Sequence, residues 1–196
     1  VVCTAKIASS NEFHEVHMIL PDHRIIAWAK AGGLVPFDKT NINPASVDLR
    51  VDGVWRDFDN HKLFSADMVI LYPRTFLVDL YNFFAKIFKL KKKMTIVYAV
   101  TMERVNLHNG LAGMVKLKSS RIREGLGYPI ADWVDPGYRG KLTLMLTAHR
   151  KIKICAGQRI VQLVVEEMEM SDKPYDVVGH YMDQTVPTGS WRNGYE

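Results

Sequence analysis

From residue 46 onward, apolar residues arrive in short bursts that Gly, Asn, Asp or Pro soon ends. Val47, Leu49 and Val51 mark one face of such a segment, and Met68, Ile70 and Tyr72 another. Further runs at 95–101, 111–117, 142–147, 152–154 and 159–165 are rich in Val, Ile, Leu and Thr. Successive side chains of an extended chain point to opposite faces, so a two-residue period in pieces this short predicts half-buried strands. Many such strands separated by turn residues predict a mainly β protein, a barrel or a jelly-roll sandwich. With 196 residues, 47% of them hydrophobic, the chain can fill one core but has too little length for two full domains.

Two segments depart from that period. After Met18, Ile19, Leu20 and Pro21, the residues Ile25, Ile26, Trp28 and Ala29 follow Asp22, which is placed to cap a short helix over 22–31 that Gly32 and Gly33 terminate. Farther on, Leu77, Leu80, Tyr81, Phe84, Ile87 and Phe88 recur at helical spacing, which predicts an amphipathic helix over 77–91 with lysines at its C-terminus. Packing of that helix on the β core or at a subunit contact is the favoured expectation, ahead of a helix lying on a membrane surface. Residues 1–17 show no period and read as an N-terminal extension. The stretch 179–196, rich in Gly, Thr, Ser and Pro, reads as a C-terminal arm that orders on contact. The expected organisation is therefore a β domain over 18–178 carrying a helical insertion at 77–93, flanked by the extension and the arm.

The net charge of +5 admits an anionic partner. Much of the excess lies in Lys89, Lys91, Lys92 and Lys93, a run that is more often a solvated face than a binding site. No basic stripe interleaved with aromatic residues and no recognition-helix pattern occurs, so no nucleic-acid partner is expected. Cys3 and Cys155 lack any metal-ligand or redox spacing. No apolar stretch is long enough for a membrane span and no leader-like pattern is visible, so a cytoplasmic location is expected, without a membrane partner unless helix 77–91 supplies one.

Three segments join small residues to fixed charges in a way that a packed core does not require. They are Ile42-Asn43-Pro44-Ala45-Ser46-Val47-Asp48-Leu49-Arg50, Lys118-Ser119-Ser120-Arg121-Ile122-Arg123-Glu124-Gly125-Leu126, and Val134-Asp135-Pro136-Gly137-Tyr138-Arg139-Gly140. Adjacent hydroxyls at Ser119 and Ser120 beside Lys118 and Arg123 offer donors and positive charge to phosphate oxygens. Taken alone, that segment is most simply a surface turn, and Asp135-Pro136-Gly137-Tyr138 is a turn by composition.

In this order, the three segments resemble the dCTP deaminase and trimeric dUTPase superfamily, and the deaminase branch in particular. The similarity starts at Met18-Ile19-Leu20-Pro21-Asp22, continues through the stretch from Leu107 to Leu126, and includes Gly157-Gln158-Arg159-Ile160-Val161-Gln162. It ends with Tyr181, Gln184, Pro187, Thr188 and Ser190 of the arm. The resemblance implies a distorted jelly-roll or β-barrel subunit, a homotrimer with sites at subunit contacts, and a deoxynucleoside triphosphate ligand accompanied by Mg²⁺ carried on its phosphates. By motif position, Ser119, Ser120, Arg123 and Gln162 would hold phosphates. Lys118 stands where the deaminases usually have Arg. Asp135 would meet the deoxyribose or position a water, and Tyr181 and Gln184 would close over the base.

Two departures bear on activity. The ungapped register places Met145 where the deaminase branch has a glutamate that transfers protons during attack on the cytosine ring, and a thioether cannot do so. No Asp or Glu occurs anywhere from Lys141 to Leu163. The stretch Gly127-Tyr128-Pro129-Ile130-Ala131-Asp132-Trp133, where the family reads the base, is shortened. The leading expectation is a Mg²⁺-dependent diphosphatase acting on dUTP or dCTP with Asp135 as its catalytic residue. The alternatives are a dCTP deaminase forming dUTP and a non-catalytic nucleotide-binding or structural member.

Overall fold

A computed structural model of the protein describes residues 18–129 and 132–190. The extension over 1–17 and the last six residues of the arm lie outside that range. The strands are β1 (Leu34–Val35), β2 (Ile42–Asn43), β3 (Ser46–Asp57), β4 (Leu63–Ser65), β5 (Met68–Leu71), β6 (Ile96–Asn106), β7 (Leu111–Leu117), β8 (Leu126–Gly127), β9 (Trp133–Val134), β10 (Arg139–Ala148), β11 (Ile152–Cys155) and β12 (Arg159–Glu167). Four short helices accompany them: α1 (Asp22–Trp28), α2 (Phe76–Ile87), α3 (Ser119–Arg123) and α4 (Tyr175–Val178).

The long strand β3 organises the molecule. Its first half, Val47 to Arg50, pairs antiparallel with β12, and from Val51 onward it pairs with β6 after a break in register. One strand thereby serves two layers, β12-β7-β9 on one side and β6-β10-β8 on the other, and the sheet curls around a common core. Burial on both sides explains why Ser46 through Leu49 are all buried, including Asp48, and why Trp55 is fully enclosed. Where β3 changes partners, the fully buried Glu103 of β6 accepts hydrogen bonds from the Arg50 backbone N–H (2.8 Å) and from Arg50 Nε (2.6 Å). Both donors come from the crossover residue itself, so the buried carboxylate has a charged partner and its hydrogen bonds supplied where the strand changes sheets. The expected distorted jelly roll is what the chain forms.

Local readings needed three corrections. Asp22 is the first helical residue of α1 and not its cap: Pro21 occupies the cap position and offers no side-chain acceptor. The regular helix stops at Trp28, and a wider turn carries the chain to Gly33, where any Cβ would lie 2.2 Å from the Trp28 ring. The buried face of β5 is the opposite of the expected one. Val69 and Leu71 point into the core opposite Ile154 and Ile152 of β11, while Met68 is exposed.

The insertion is helical as expected but shorter and differently oriented. Thr75 caps α2 by accepting from the Val78 N–H (3.3 Å), and the helix ends at Ile87, so only Lys86 lies in its last turn. Its buried side chains are Val78 and Ala85. Between them Asn82 accepts from the Lys93 N–H (2.8 Å) and donates to the Lys93 carbonyl (2.9 Å). The returning chain needs partners for its backbone polar groups, and only the Tyr81 and Asn82 side of the helix offers them. That requirement turns Leu77, Phe84, Ile87 and Phe88 outward, so the expected packing of this stripe on the β core does not occur. Among the described residues no helix is long and apolar enough to cross a membrane.

Candidate nucleotide site

A pocket of about 300 Å³ opens at the end of the sandwich where the β9–β10 turn meets the arm. Its floor is formed by Val115, Val134 and Leu142, its walls by Tyr98, Tyr128, Trp133, Tyr138 and Tyr175, and its rim by Asp135, Thr143, Tyr181, Gln184 and the backbone around Gly189. An apolar floor with a few polar groups at one edge suits a planar heterocycle and a sugar.

The turn that presents Asp135 forms as its composition predicts. The Tyr138 N–H donates to the Asp135 carbonyl (3.1 Å), with Gly137 at positive φ. The carboxylate itself is exposed at the pocket rim and accepts from Trp133 Nε1 (2.9 Å), which fixes one of its oxygens. Burial raises the phenols around it: Tyr128 is pushed up to about 12, with the Asp132 charge adding to the effect. Tyr138 and Tyr175 are also raised, chiefly by burial. These rings therefore act at neutral pH as apolar walls and hydroxyl donors.

The arm is fixed to the outer edge of β10. The Asp183 N–H donates to the Arg139 carbonyl (2.7 Å), and the Lys141 N–H to the Gln184 carbonyl (2.9 Å). The Asp183 carboxylate is held by Arg139 (2.6 and 2.8 Å) and by Arg104, and the Arg139 hydrogen bond keeps its pKa below the usual range. Farther along, the buried Arg56 donates through Nε to the Pro187 carbonyl (2.6 Å). Gly140 permits this docking, because it sits at φ 151° and a Cβ there would lie 2.9 Å from the Gln184 backbone nitrogen. Gln184 is thereby placed over the pocket, where Thr143 Oγ1 donates to its side-chain oxygen (2.8 Å) and accepts from the Thr188 N–H (3.1 Å).

The residues singled out as phosphate ligands form a second patch. Ser119, Ser120 and Arg123 are exposed on α3, at the end of β7 remote from Asp135. Arg123 makes no side-chain hydrogen bond or ion pair among the described residues, whereas Arg121 is committed to Glu124 (2.6 Å) and to the Arg159 carbonyl (3.0 Å). Lys118 is ion-paired with Asp48, a carboxylate 3% exposed that also accepts from Asn43 Nδ2 (2.9 Å). Gln162 stands in register between Asp48 and Lys116 across β3, β12 and β7. β9 pairs with β7 at Gly113, so the strand places Asp135 roughly 20 Å from Ser119 at ~3.3 Å per residue. Within one chain, then, Asp135, Tyr181 and Gln184 come together, Lys118, Ser119, Ser120, Arg123 and Gln162 form the other group, and the two groups do not meet.

Met145 lies on the same face of β10 as Thr143 and opposite Tyr98, beside the pocket and outside its lining. Residues that sequence reasoning did not single out include Thr143, which holds the arm, and Asp48, which anchors Lys118. Alternation along β10 would have placed Thr143 on the outward face with Met145. Asp48 stood in a quoted motif without a role, and its pairing required the β7–β12–β3 register. Among the described residues no three His, Cys, Asp or Glu side chains converge to hold a metal ion.

Comparison with known proteins bears on this geometry directly. The family model for dCTP deaminase-like domains matches residues 19–168. The dCTP deaminase, dUMP-forming, of Acidothermus cellulolyticus is 35% identical over 188 residues, covering 90% of this chain and 97% of that protein. The dCTP deaminase of Pyrococcus horikoshii is 32% identical over 174 residues, covering 86% and 94%. Among solved structures, the 2'-deoxycytidine 5'-triphosphate deaminase from Agrobacterium tumefaciens superposes with a TM-score of 0.58 at 17% identity. That alignment covers 79% of this chain and about half of the other (49%), and it supports the fold alone. The family match over most of the chain, and relatives above 30% identity along nearly their whole length, agree with the ordered motifs and the curled sheet: the chain belongs to the dCTP deaminase-like family.

Proposed function

We propose that the protein binds a pyrimidine deoxynucleoside triphosphate, dUTP or dCTP, and hydrolyses it to the monophosphate and pyrophosphate without deaminating the base. The observation that carries this reading is a contrast. Asp135 is the one carboxylate lining the pocket among the described residues, while in the ungapped register of the resemblance Met145 on β10 would stand where the deaminases have their glutamate. Relatives named dCTP deaminase, dUMP-forming, convert dCTP to dUMP, and that conversion removes both an amino group and two phosphates. Removal of the amino group needs a side chain that carries protons to and from the ring. Removal of the phosphates needs an oriented water and ligands for the departing charge.

In this reading the base lies between the aromatic walls with the Gln184 amide at its edge, and Asp135 orients a water toward the α-phosphorus and accepts its proton. The water oxygen bonds to that phosphorus while the bond to the bridging oxygen breaks, so pyrophosphate leaves with the electron pair. Ser119, Ser120 and Arg123, with Gln162 and Lys118 behind them, receive the phosphates. The rough 20 Å between Asp135 and Ser119 in one chain supports a homotrimer in which the phosphate patch of one subunit serves the pocket of its neighbour. In this reading a Mg²⁺ ion would arrive with the substrate, carried on its phosphate oxygens.

The test is incubation of the purified protein with dUTP, dCTP and Mg²⁺, following pyrophosphate and ammonia separately. Pyrophosphate without ammonia is the expected result, and Asp135→Asn should lower the rate by roughly 10²–10⁴-fold. Ammonia from dCTP would overturn the assignment of Met145. An unchanged rate in Asp135→Asn would overturn that of Asp135. Tight nucleotide binding without either product would instead identify a non-catalytic binding protein.

A further inference from the structure

The outward face of α2 is apolar over its whole length. Phe76, Leu77, Phe83, Ile87 and Phe88 are each more than half exposed, and Phe84 is 46% exposed. A contiguous patch of this kind is rare on a soluble surface unless something covers it. Nor can the helix roll to hide it, because Asn82 binds both backbone groups of Lys93, and Val78 and Ala85 are seated in the molecule. The chain therefore holds α2 by its polar side and presents its apolar side outward.

Charge identifies the covering partner. Residues 74–93 carry six basic side chains, Arg74, Lys86, Lys89, Lys91, Lys92 and Lys93, against the single acid Asp79, so the whole +5 net charge of the protein resides in this segment. Arg74 faces Asp79 and Lys92 pairs with Asp59, while Lys86, Lys89 and Lys91 are exposed and form no ion pair among the described residues. The neighbouring β11 extends the same edge. Its Lys153 is exposed, and Lys151 just before it shares the Tyr72 ring with Lys93, at 5.6 and 5.4 Å.

We infer that α2 is a peripheral membrane anchor that lays its phenylalanines into the headgroup boundary of an anionic lipid bilayer, with the lysine collar on the phosphates. A two-fold contact between copies through this face is disfavoured, since it would bring like-charged collars together. A bilayer instead accepts a convex apolar ridge and supplies negative charge around all of it. The inference does not depend on the nucleotide reading.

The test is co-sedimentation of the full chain with phosphatidylcholine vesicles, with and without phosphatidylserine. Binding at least tenfold stronger to the anionic vesicles, and falling as salt rises, is expected. The triple variant Phe76→Ser, Phe83→Ser, Phe88→Ser should lose that binding on the order of tenfold or more. Its circular dichroism should not change, because these side chains are exposed. Lys89→Glu with Lys91→Glu should remove the preference for phosphatidylserine while leaving the fold intact. Equal or absent binding to the two vesicle types overturns the inference. So does a concentration-dependent dimer that the triple variant abolishes in the absence of vesicle binding, or capture of an acidic protein by α2 without affinity for vesicles.

Discussion

The arm and the inserted helix are both appended to the same β sandwich, and they are attached in opposite senses. The arm approaches β10 with backbone hydrogen bonds and the Asp183 clamp, then brings Tyr181 and Gln184 over the pocket. The helix approaches with Asn82 and two small buried side chains, and its large apolar residues face away. In each case polar groups make the attachment and the remaining face is left for another task, a pocket in one and a surface in the other. Hydrogen bonds fix geometry at modest net energy. They therefore suit segments whose position matters more than their contribution to stability.

The largest effect that would break the comparison is expected at Gly140. A side chain there would collide with the arm backbone, so Gly140→Val should displace residues 183–184, expose the arm to protease and weaken nucleotide binding by on the order of a hundredfold. Retained affinity would mean that the arm does not cover the ligand. Next is Asn82→Ala, which strands the Lys93 N–H and carbonyl at the base of α2 and should cost about 1–3 kcal/mol in denaturant unfolding. Its signature is loss of the helix without loss of the pocket.

The arm clamp also has a pH sign. The Arg139 and Arg104 guanidinium groups hold the Asp183 carboxyl below its usual 3.8, so the clamp stabilises the docked arm fully above that value and fades as pH falls through the lower, folded one. Arm protection from proteolysis should thus persist to pH 4 and decline only in stronger acid. Asp183→Asn should show a weaker arm above that range and no such decline within it. At the alkaline end, Tyr128 is raised from 10 to about 12 by burial, so its contribution is complete below pH 10 and disappears as pH rises through 12. Unfolding followed across that window, with phenolate absorbance as the monitor, checks it.

Strand positions were legible in the sequence because burial on a curled sheet imposes a two-residue period, and the runs at 111–117 and 159–165 match β7 and β12 closely. The phase of that period was less secure. At β5 either face could have been the buried one, and the pairing with β11 decided between them. Motif order pointed to Asp135, Tyr181 and Gln184, which share a pocket, but spacing could not show that Ser119 lies at the far end of β7 from Asp135. Distances across a sheet depend on register, which short-range pattern does not contain. Helix α2 illustrates the same limit. Its apolar stripe was visible, yet the side that docks was set by where Lys93 needs hydrogen bonds, an interaction eleven residues away.

The smallest expected effect sharpens the contrast most. Phe83→Ser removes a large apolar side chain that is 61% exposed, and a residue so placed has little burial to lose on unfolding. Its stability in vesicle-free solution should stay within about 0.5 kcal/mol of the parent, as for surface substitutions that touch no special feature. A comparable truncation inside the sandwich, Leu144→Ala, removes a side chain only 1% exposed and should cost about 2–5 kcal/mol. If Phe83→Ser instead destabilised the protein by several kcal/mol, and did so more strongly at higher protein concentration, the face of α2 would be buried against another copy of the chain in solution. The outward helix would then be one half of an interface, and the distinction between a segment folded onto its own pocket and one offered to the surroundings would no longer hold.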